Sequence, residues 1–450
     1  MTFFPSQWSA DYEGWILVIV VLSAIACAIP GCFLLVRRQA MLGDAISHAV
    51  LPGIALGFLV SGTRGGPWIF IGAGVAGVVT AMLSQLIHVV GRVERGASLG
   101  IVFTTLFALG LVLIVQVQSV GQVDLDPGCV LYGEVELAAI DYMGGTSIPR
   151  AVPLLIGVSI LSLTLLGICW KEILVSSFDP AVAFSQGIRP GIVQQALMVV
   201  VAVTCVAVFQ SVGSILVIAL LVAPAAAARL LTDRLSMMIW ISVLAGIGVA
   251  VSGVYVALLL PSRLFTGVED VSISGSIAAM GGALVLLLAI ISPRSGVLSR
   301  TLNAIRLKRR ILEEDLLGAL YRLEVEGRAH PSLGHLIREI HSADTSHAED
   351  SSRHVSRALQ RLIQKKLVSD CVHPSLTAEG RVAGATIVRT HRLWERFFER
   401  HAEIPIDHLH DIAMDLEHAS SPELELALEH FAAGVDRDPQ GRAIPKGRVK

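Results

Sequence analysis

The chain has 450 residues, of which 53% are apolar and 16% charged, and its formal net charge is −2. The charges are unevenly placed: through Ser292 there are 11 Lys/Arg and 14 Asp/Glu, and the last 158 residues hold the other 47. Apolar runs so many and so continuous exclude one large water-soluble globule and divide the sequence into a membrane body and a soluble tail.

The N-terminal "MTFFPSQWSADYEGW" has neither a basic n-region nor a small-residue cleavage site, so it does not read as a cleaved signal. A helix needs roughly 20 apolar residues to cross a bilayer core. Runs of that kind follow at 15–36, 40–61, 67–89, 98–119, 151–170, 194–210, 212–231, 236–260 and 272–292, which predicts eight or nine spans. Between them "GCVLYGEVELAAI" (128–140) is too short and polar to cross, and predicts an interfacial or re-entrant piece. Orientation follows from Lys and Arg in short loops. Arg37, Arg38, Arg92, Arg95, Lys171, Arg189, Arg229 and Arg234 mark cytoplasmic ends, and the acidic "QSVGQVDLDPG" (Gln118–Gly128) faces the other side. The basic burst after the last span places the tail in the cytoplasm. The six cysteines form no CxxC pair and read as small core residues.

The second run, "RRQAMLGDAISHAVLPGIALGF", carries Asp44 and His48 one helical turn apart, on one helix face. An ionisable group inside a span costs roughly 3 kcal/mol on insertion scales and faces a bundle interior or polar path. A carboxylate with an imidazole suits a first-row divalent cation. The same pair would also serve as a fastener between two helices. Pro52 and Gly53 interrupt the helix just beyond and free backbone groups near the pair. Further on, "SSFDPAVAFSQGI" (Ser176–Ile188) lies between spans. Asp179 before Pro180 forms an N-cap and first-turn pair, opening a short helix that can dock on a soluble partner or remain an ordinary interfacial loop. No GxxxxGK[ST] occurs, so the chain does not bind ATP through a P-loop.

The run around Asp44, then "GASLGIVFTTLFALGLVLI", "SFDPAVAFSQGI" and "VGSILVIALLVAPAAAARLLTDRL", together resemble the signature regions of the manganese/zinc/iron ABC-transporter permeases, in order over residues 12–295. The resemblance implies a multi-pass cell (inner) membrane protein, dimeric with a second copy or a paralogue. It implies metal delivery by an extracytoplasmic binding protein, separate cytosolic ATPase subunits and alternating access. The chain would then be no enzyme. By motif, Asp44 and His48 fall on pore-lining metal positions, and Phe178, Asp179, Pro180 and Gly187 on the segment that engages the ATPase. Two ligands per chain become four at a twofold axis.

The tail has ordinary soluble composition. "EEDLLGALYRLEVEG" (Glu313–Gly327), "LGHLIREI" (Leu333–Ile340) and "RHVSRALQRLIQKKLV" (Arg353–Val368) show helical periodicity, and "SDCVHPSLTAEGR" suits a small hairpin. That is the order of a winged helix. Arg353, Arg357, Arg361 and Lys365 recur every four residues, either facing DNA phosphates or forming a solvated basic face. Beyond them, His391 and Glu395 are at i and i+4, and His410, Met414, Glu417 and His418 at i, i+4, i+7 and i+8. Metal-type ligands at such spacing share one face of each helix.

"DLLGALYRLEVEG", "RALQRLIQKKLV", "LTAEGRVAGATIVRTHRLWERFF" and "IPIDHLHDIAMDLEHASSPELELAL" resemble metal-dependent repressors of the diphtheria-toxin-repressor type over about 311–432. The resemblance places His391, Glu395 and His410 on one metal site and Glu417 and His418 on another. Met414 takes a position that is Cys in iron-type and Glu in manganese-type members, and Asp315 matches a first-helix ligand of manganese-type members. Gly318 replaces an acidic residue that manganese-type members use, and there is no third, SH3-like domain.

The expected fold is an all-α polytopic membrane protein with a cytosolic winged-helix and helical dimerisation domain. Its divisions are 1–295 permease, 296–310 basic linker, 311–380 winged-helix-like, 381–435 metal-binding and dimerisation helices, and 436–450 disordered tail. The leading functional expectation is the permease subunit of an ATP-driven importer of manganese, iron or zinc, whose tail senses the metal and regulates transport. The alternative is a membrane-tethered, metal-dependent DNA-binding regulator. Import of larger chelates gives no role to Asp44 and His48 and ranks last.

Overall fold

The computed structural model of the protein describes residues 12–62, 67–121, 135–143, 147–264, 271–328, 331–340, 348–401, 413–414, 416–418, 422–431 and 436–445. It separates into two units, Met1–Arg300 and Thr301–Lys450. Among the described residues both are helical, and the only β pairings are isolated bridges.

In the first unit the helices are α1 (Tyr12–Val36), α2 (Leu42–Ala49), α3 (Leu51–Ser61), α4 (Pro67–Gly91), α5 (Arg95–Gly121), α6 (Val135–Ile140), α7 (Ala151–Ile168), α8 (Trp170–Phe178), α9 (Pro180–Ser185), α10 (Pro190–Val212), α11 (Ser214–Leu231), α12 (Leu235–Leu264) and α13 (Ile273–Ile291). Nine stretches among the described residues are long and apolar enough to cross a membrane, with α2 and α3 together making one of them. The α1, α2–α3 and α10 spans are 67%, 72% and 61% buried, whereas the α5 and α13 spans are each 28% buried, so the first three form the centre. Their core joins Ile19, Val20 and Ala24 of α1 to Ile46 of α2, Val201 and Val206 of α10 and Leu220 of α11.

The second span breaks between Ala49 and Leu51. Pro52 has no N–H to reach the His48 carbonyl four residues back, while Val50 N–H keeps the ordinary helical bond to the Ile46 carbonyl at 3.1 Å. Gly53 has a separate reason to be glycine. A Cβ there would lie 2.1 Å from the Gly72 carbonyl oxygen, so α3 and α4 cross with backbones in contact. Within the 128–140 stretch, α6 places Val135 and Ala139 in the core. Residues 128–134, and most of the acidic 118–128 stretch, lie outside the described residues.

The second unit opens within α14 (Val297–Val325), followed by α15 (Leu333–Ile340), α16 (Ala348–Gln364), α17 (Ala378–His401) and α18 (Pro422–Phe431). Its core joins Leu316, Leu320 and Leu323 of α14 to Leu336 of α15 and Val355, Leu359 and Leu362 of α16. A smaller cluster forms around Leu393, Trp394, Ala413 and Leu428. Three expectations change here. The 296–310 linker is helix from Val297 onward, because its Arg, Lys, Leu and Ala are good helix formers. The expected hairpin is a single bridge, Val368 to Leu376, with Ser369 N–H donating to the Ser375 carbonyl at 3.0 Å. The 436–450 segment is ordered over 436–445: Arg437 bridges to Ala443, Asp438 is 4% exposed beside Arg392, and Ile444 packs on the Trp394 cluster.

Candidate metal sites and an exposed helical segment

Asp44 and His48 are brought together as their spacing predicts, with Nε2 of His48 3.4 Å from Oδ1 of Asp44. Asp44 keeps 51% of its side-chain surface and His48 28%, so the pair is partly exposed rather than sealed in the core. The imidazole is held by Phe103 and Phe107 of α5, at ring-centre distances of 5.5 and 5.8 Å. Those two rings orient the histidine while the carboxylate supplies a hard oxygen, a donor set that fits a divalent ion.

Asp179 caps α9 as read from the sequence, its Oδ1 accepting from the backbone N–H groups of Ala181 and Val182 at 3.0 Å each. Pro180 takes the first helical position, and Gly187 has φ +81°, where a glycine is unstrained. Phe178 and Phe184 project from this segment 58% and 74% exposed, an apolar face without a partner in one chain.

In the second unit the ligand-type residues converge. One oxygen of Glu417 lies 2.7 Å from Nδ1 of His391, and the other lies 3.6 Å from Nε2 of His418. Nε2 of His391 faces Glu395 at 3.1 Å, and Nε2 of His418 faces Asp315 at 3.0 Å. The sets the sequence separates therefore meet at one shared carboxylate. Ligand atoms of Asp315, Glu417 and His418 all lie within 4.8 Å of one another, the grouping a small divalent ion requires. Two carboxylates and an imidazole fit manganese, iron or zinc. Met414 is half-buried one turn before His418, and His410 lies outside the described residues.

Sequence spacing missed Glu314. Its Oε2 is 2.8 Å from Nδ1 of His418, on the ring edge opposite Asp315, and its Oε1 accepts from Arg310 at 2.7 Å. Metal-bound histidines commonly offer their second nitrogen to such a carboxylate. The only signal was the acidic run "EED", since neighbours in a helix point about 100° apart. Burial works against the charge on His418, but hydrogen bonds with Asp315 and Glu314 outweigh it and raise its pKa to about 10. Burial likewise opposes the charge on His391, and contacts with Glu395 and Glu417 raise it.

Glu313 was missed as well. It accepts from Nε of Arg361 and Nζ of Lys365, at 2.6 Å each. Burial opposes its charge, yet these two bonds hold its carboxyl below the usual range. Half of the basic row read as phosphate-facing is thus engaged inside the unit, while Arg353 and Arg357 are exposed.

A model of the ABC 3 transport family matches residues 11–290. The chain belongs to the ABC 3 transport family. The family match takes in all nine candidate spans except the last residue of α13. A family relative, the manganese transport system membrane protein MntD of Bacillus subtilis, is 39% identical over 302 residues, covering 66% of this chain and 98% of the relative. The zinc transport system membrane protein TroD of Treponema pallidum is 35% identical over 357 residues, covering 78% of this chain and 92% of the relative. That alignment is longer than the first unit and so extends into the second. Among solved structures, PsaBC from Streptococcus pneumoniae in complex with Fab is similar at a TM-score of 0.53 and 28% identity, over 65% of this chain and 95% of that one. A second model, the iron dependent repressor metal binding and dimerisation domain, matches residues 377–446. It includes His391, Glu395, Glu417 and His418 and ends past the ordered 436–445 segment. Asp315 and Glu314 lie outside it, on α14.

Proposed function

We propose that this family member is the permease subunit of an ATP-driven importer of a divalent metal ion, manganese first, with zinc and iron as the other candidates. Its second unit binds the same metal and restrains transport when the metal is plentiful. The observation that carries the transport reading is the Asp44–His48 pair, ionisable and partly open inside a membrane span. A conduit has to release what it binds, and two ligands per chain, four at a twofold axis, suit transient binding. The relatives' names support manganese and zinc. The exposed Phe178–Phe184 face is the place for a cytosolic ATPase subunit, and an extracytoplasmic binding protein would deliver the ion.

The sequence of the second unit resembles a winged helix in the order of its helices, so a tethered DNA-binding regulator competes. Engagement of Arg361 and Lys365 by Glu313 favours the transport reading, because those cations are the ones the regulator needs. Feedback would work by differential metal affinity for two states of the permease.

The test is metal accumulation in cells lacking their own importers, supplied with the complete system. Asp44→Ala/His48→Ala is expected to abolish uptake at normal membrane level, and the metal most accumulated by the unaltered protein names the cargo. Normal uptake by that variant would make the pair a structural fastener.

A further inference from the structure

A polar network with no part in the transport reading joins α1, α8 and α10. We propose that Arg37 is a positioning residue that ties the ATPase-facing segment to the helix bearing Asp44 and His48, through Ser176 and Ser177 on one side and Gln194 and Gln39 on the other. The proposal rests on the assignments of α9 and the Asp44–His48 pair made above.

The chain leaves α1 by a tight reversal. Arg38 N–H bonds to the Leu35 carbonyl at 3.1 Å and Gln39 N–H to the Leu34 carbonyl at 2.7 Å, the crossed pair of a Schellman cap. The left-handed residue in this cap is Arg38 at φ +57°, where glycine is usual, so the reversal is held against local strain. Gln39 then gives its carbonyl to Leu42 N–H at 2.9 Å, the first residue of α2. Asp44 follows two residues later.

Arg37 stands at the entry to this reversal and uses its whole fork. Nη2 donates to Ser176 Oγ at 2.8 Å and Nε to Ser177 Oγ at 3.0 Å. Both hydroxyls give their own hydrogen to the Ile173 carbonyl, which leaves their lone pairs for the guanidinium. Nη1 donates to Oε1 of Gln194. The Gln194 amide passes the bond on, Nε2 donating to Oε1 of Gln39 at 2.6 Å. Gln39 and Gln194 are only 4% and 7% exposed, so neither amide has water to fall back on.

The two ends of the network are the two places that matter. Ser176 and Ser177 form the last turn of α8, followed at once by Phe178 and the Asp179 cap, whose N–H bonds back to the Val175 carbonyl at 2.9 Å. A displacement of α9 therefore pulls on the serines. Gln39, at the other end, holds the start of α2. The planar fork is required: an ammonium is a point charge that cannot reach both serines and the amide in fixed directions. A fastener alone would do none of this signalling, and the metal moved per ATP hydrolysed separates the two.

The experiment uses the complete importer in proteoliposomes with Mn²⁺, measuring metal moved per ATP hydrolysed. Arg37→Ala is expected to lower uptake by about tenfold or more, an ordinary coupling magnitude, while hydrolysis stays within about twofold. Arg37→Lys should restore only part of the ratio. Equal loss of uptake and hydrolysis, or no loss of either, overturns the proposal. If Arg37→Ala fails to reach the membrane, Ser177→Ala and Gln39→Ala take its place. Members of one relay give a double variant no worse than the poorer single, whereas additive losses overturn it. The underlying assignments are read separately. Normal uptake by Asp44→Ala/His48→Ala sinks the pore assignment, and ATPase subunits still co-purifying with Phe184→Asp sink that of α9.

Discussion

His418 lies between Asp315 and Glu314, and in the metal-free protein its raised pKa makes it a cation. The sign of the pH dependence follows. Its charge supports the fold fully below the ordinary pKa near 6.5, and that support is lost as pH rises through about 10. A metal ion at Nε2 must expel the proton, so binding releases protons and tightens by up to about tenfold per pH unit in that range. Calorimetry of the full chain in buffers of different ionisation heat measures the release, with Glu417→Ala/His418→Ala as the blank; equal heats in all buffers contradict it. Glu314→Gln removes the carboxylate behind the ring and is expected to weaken this site by about 10–100-fold, read by competition with a chelating dye. At this scale the sequence was readable within helices and opaque between them. His391 with Glu395 follows from one turn of helix, but Glu417 against His391 depends on how separate segments pack. Glu313 and Glu314 were hidden because the partners that matter, Arg361 and Lys365 for the one and His418 for the other, lie on other segments.

The caps and crossings act at the scale of the element. Asp179→Ala leaves the N–H groups of Ala181 and Val182 without their acceptor and costs α9 about 1 kcal/mol. The expected result is weaker retention of the ATPase subunits, recovered by Asp179→Asn; unchanged retention by the alanine variant would show that the cap does not hold the docking segment. Gly53→Ala drives a methyl into the Gly72 carbonyl and Ala76, so α3 can no longer lie against α4. Loss of purified yield and of uptake together is the expected outcome, and wild-type yield would mean that the crossing can open. Span positions and the α9 cap were legible because hydropathy and the Asp-Pro pair act locally. The close crossing was not, since Gly53 announces only that a side chain is missing. The 296–310 stretch misled in the other direction: its charge suggested a linker, yet nine of its fifteen residues are Leu, Ala, Arg or Lys, all good helix formers, and the chain follows propensity there.

For the molecule as a whole, the uneven charge of the sequence already separates the two units, and the structure divides them at Arg300. If the second unit is a brake, Glu417→Ala/His418→Ala should raise accumulated metal in cells grown with excess manganese and change little under scarcity. The same uptake curve as the unaltered protein would remove the regulatory role and leave the transport reading standing. Residues Val297–Arg310 carry one further consequence. They are exposed along nearly their whole length and include Arg300, Arg306, Lys308, Arg309 and Arg310, which would make an extended linker the first target of trypsin. Proteases cut chains that enter their clefts extended, and here the backbone is wound into the helix that also supplies Leu316, Leu320 and Leu323 to the second unit's core. Brief trypsin treatment should therefore spare this basic stretch, and the chain would run on a gel as one polypeptide across the junction until the second unit's core has melted.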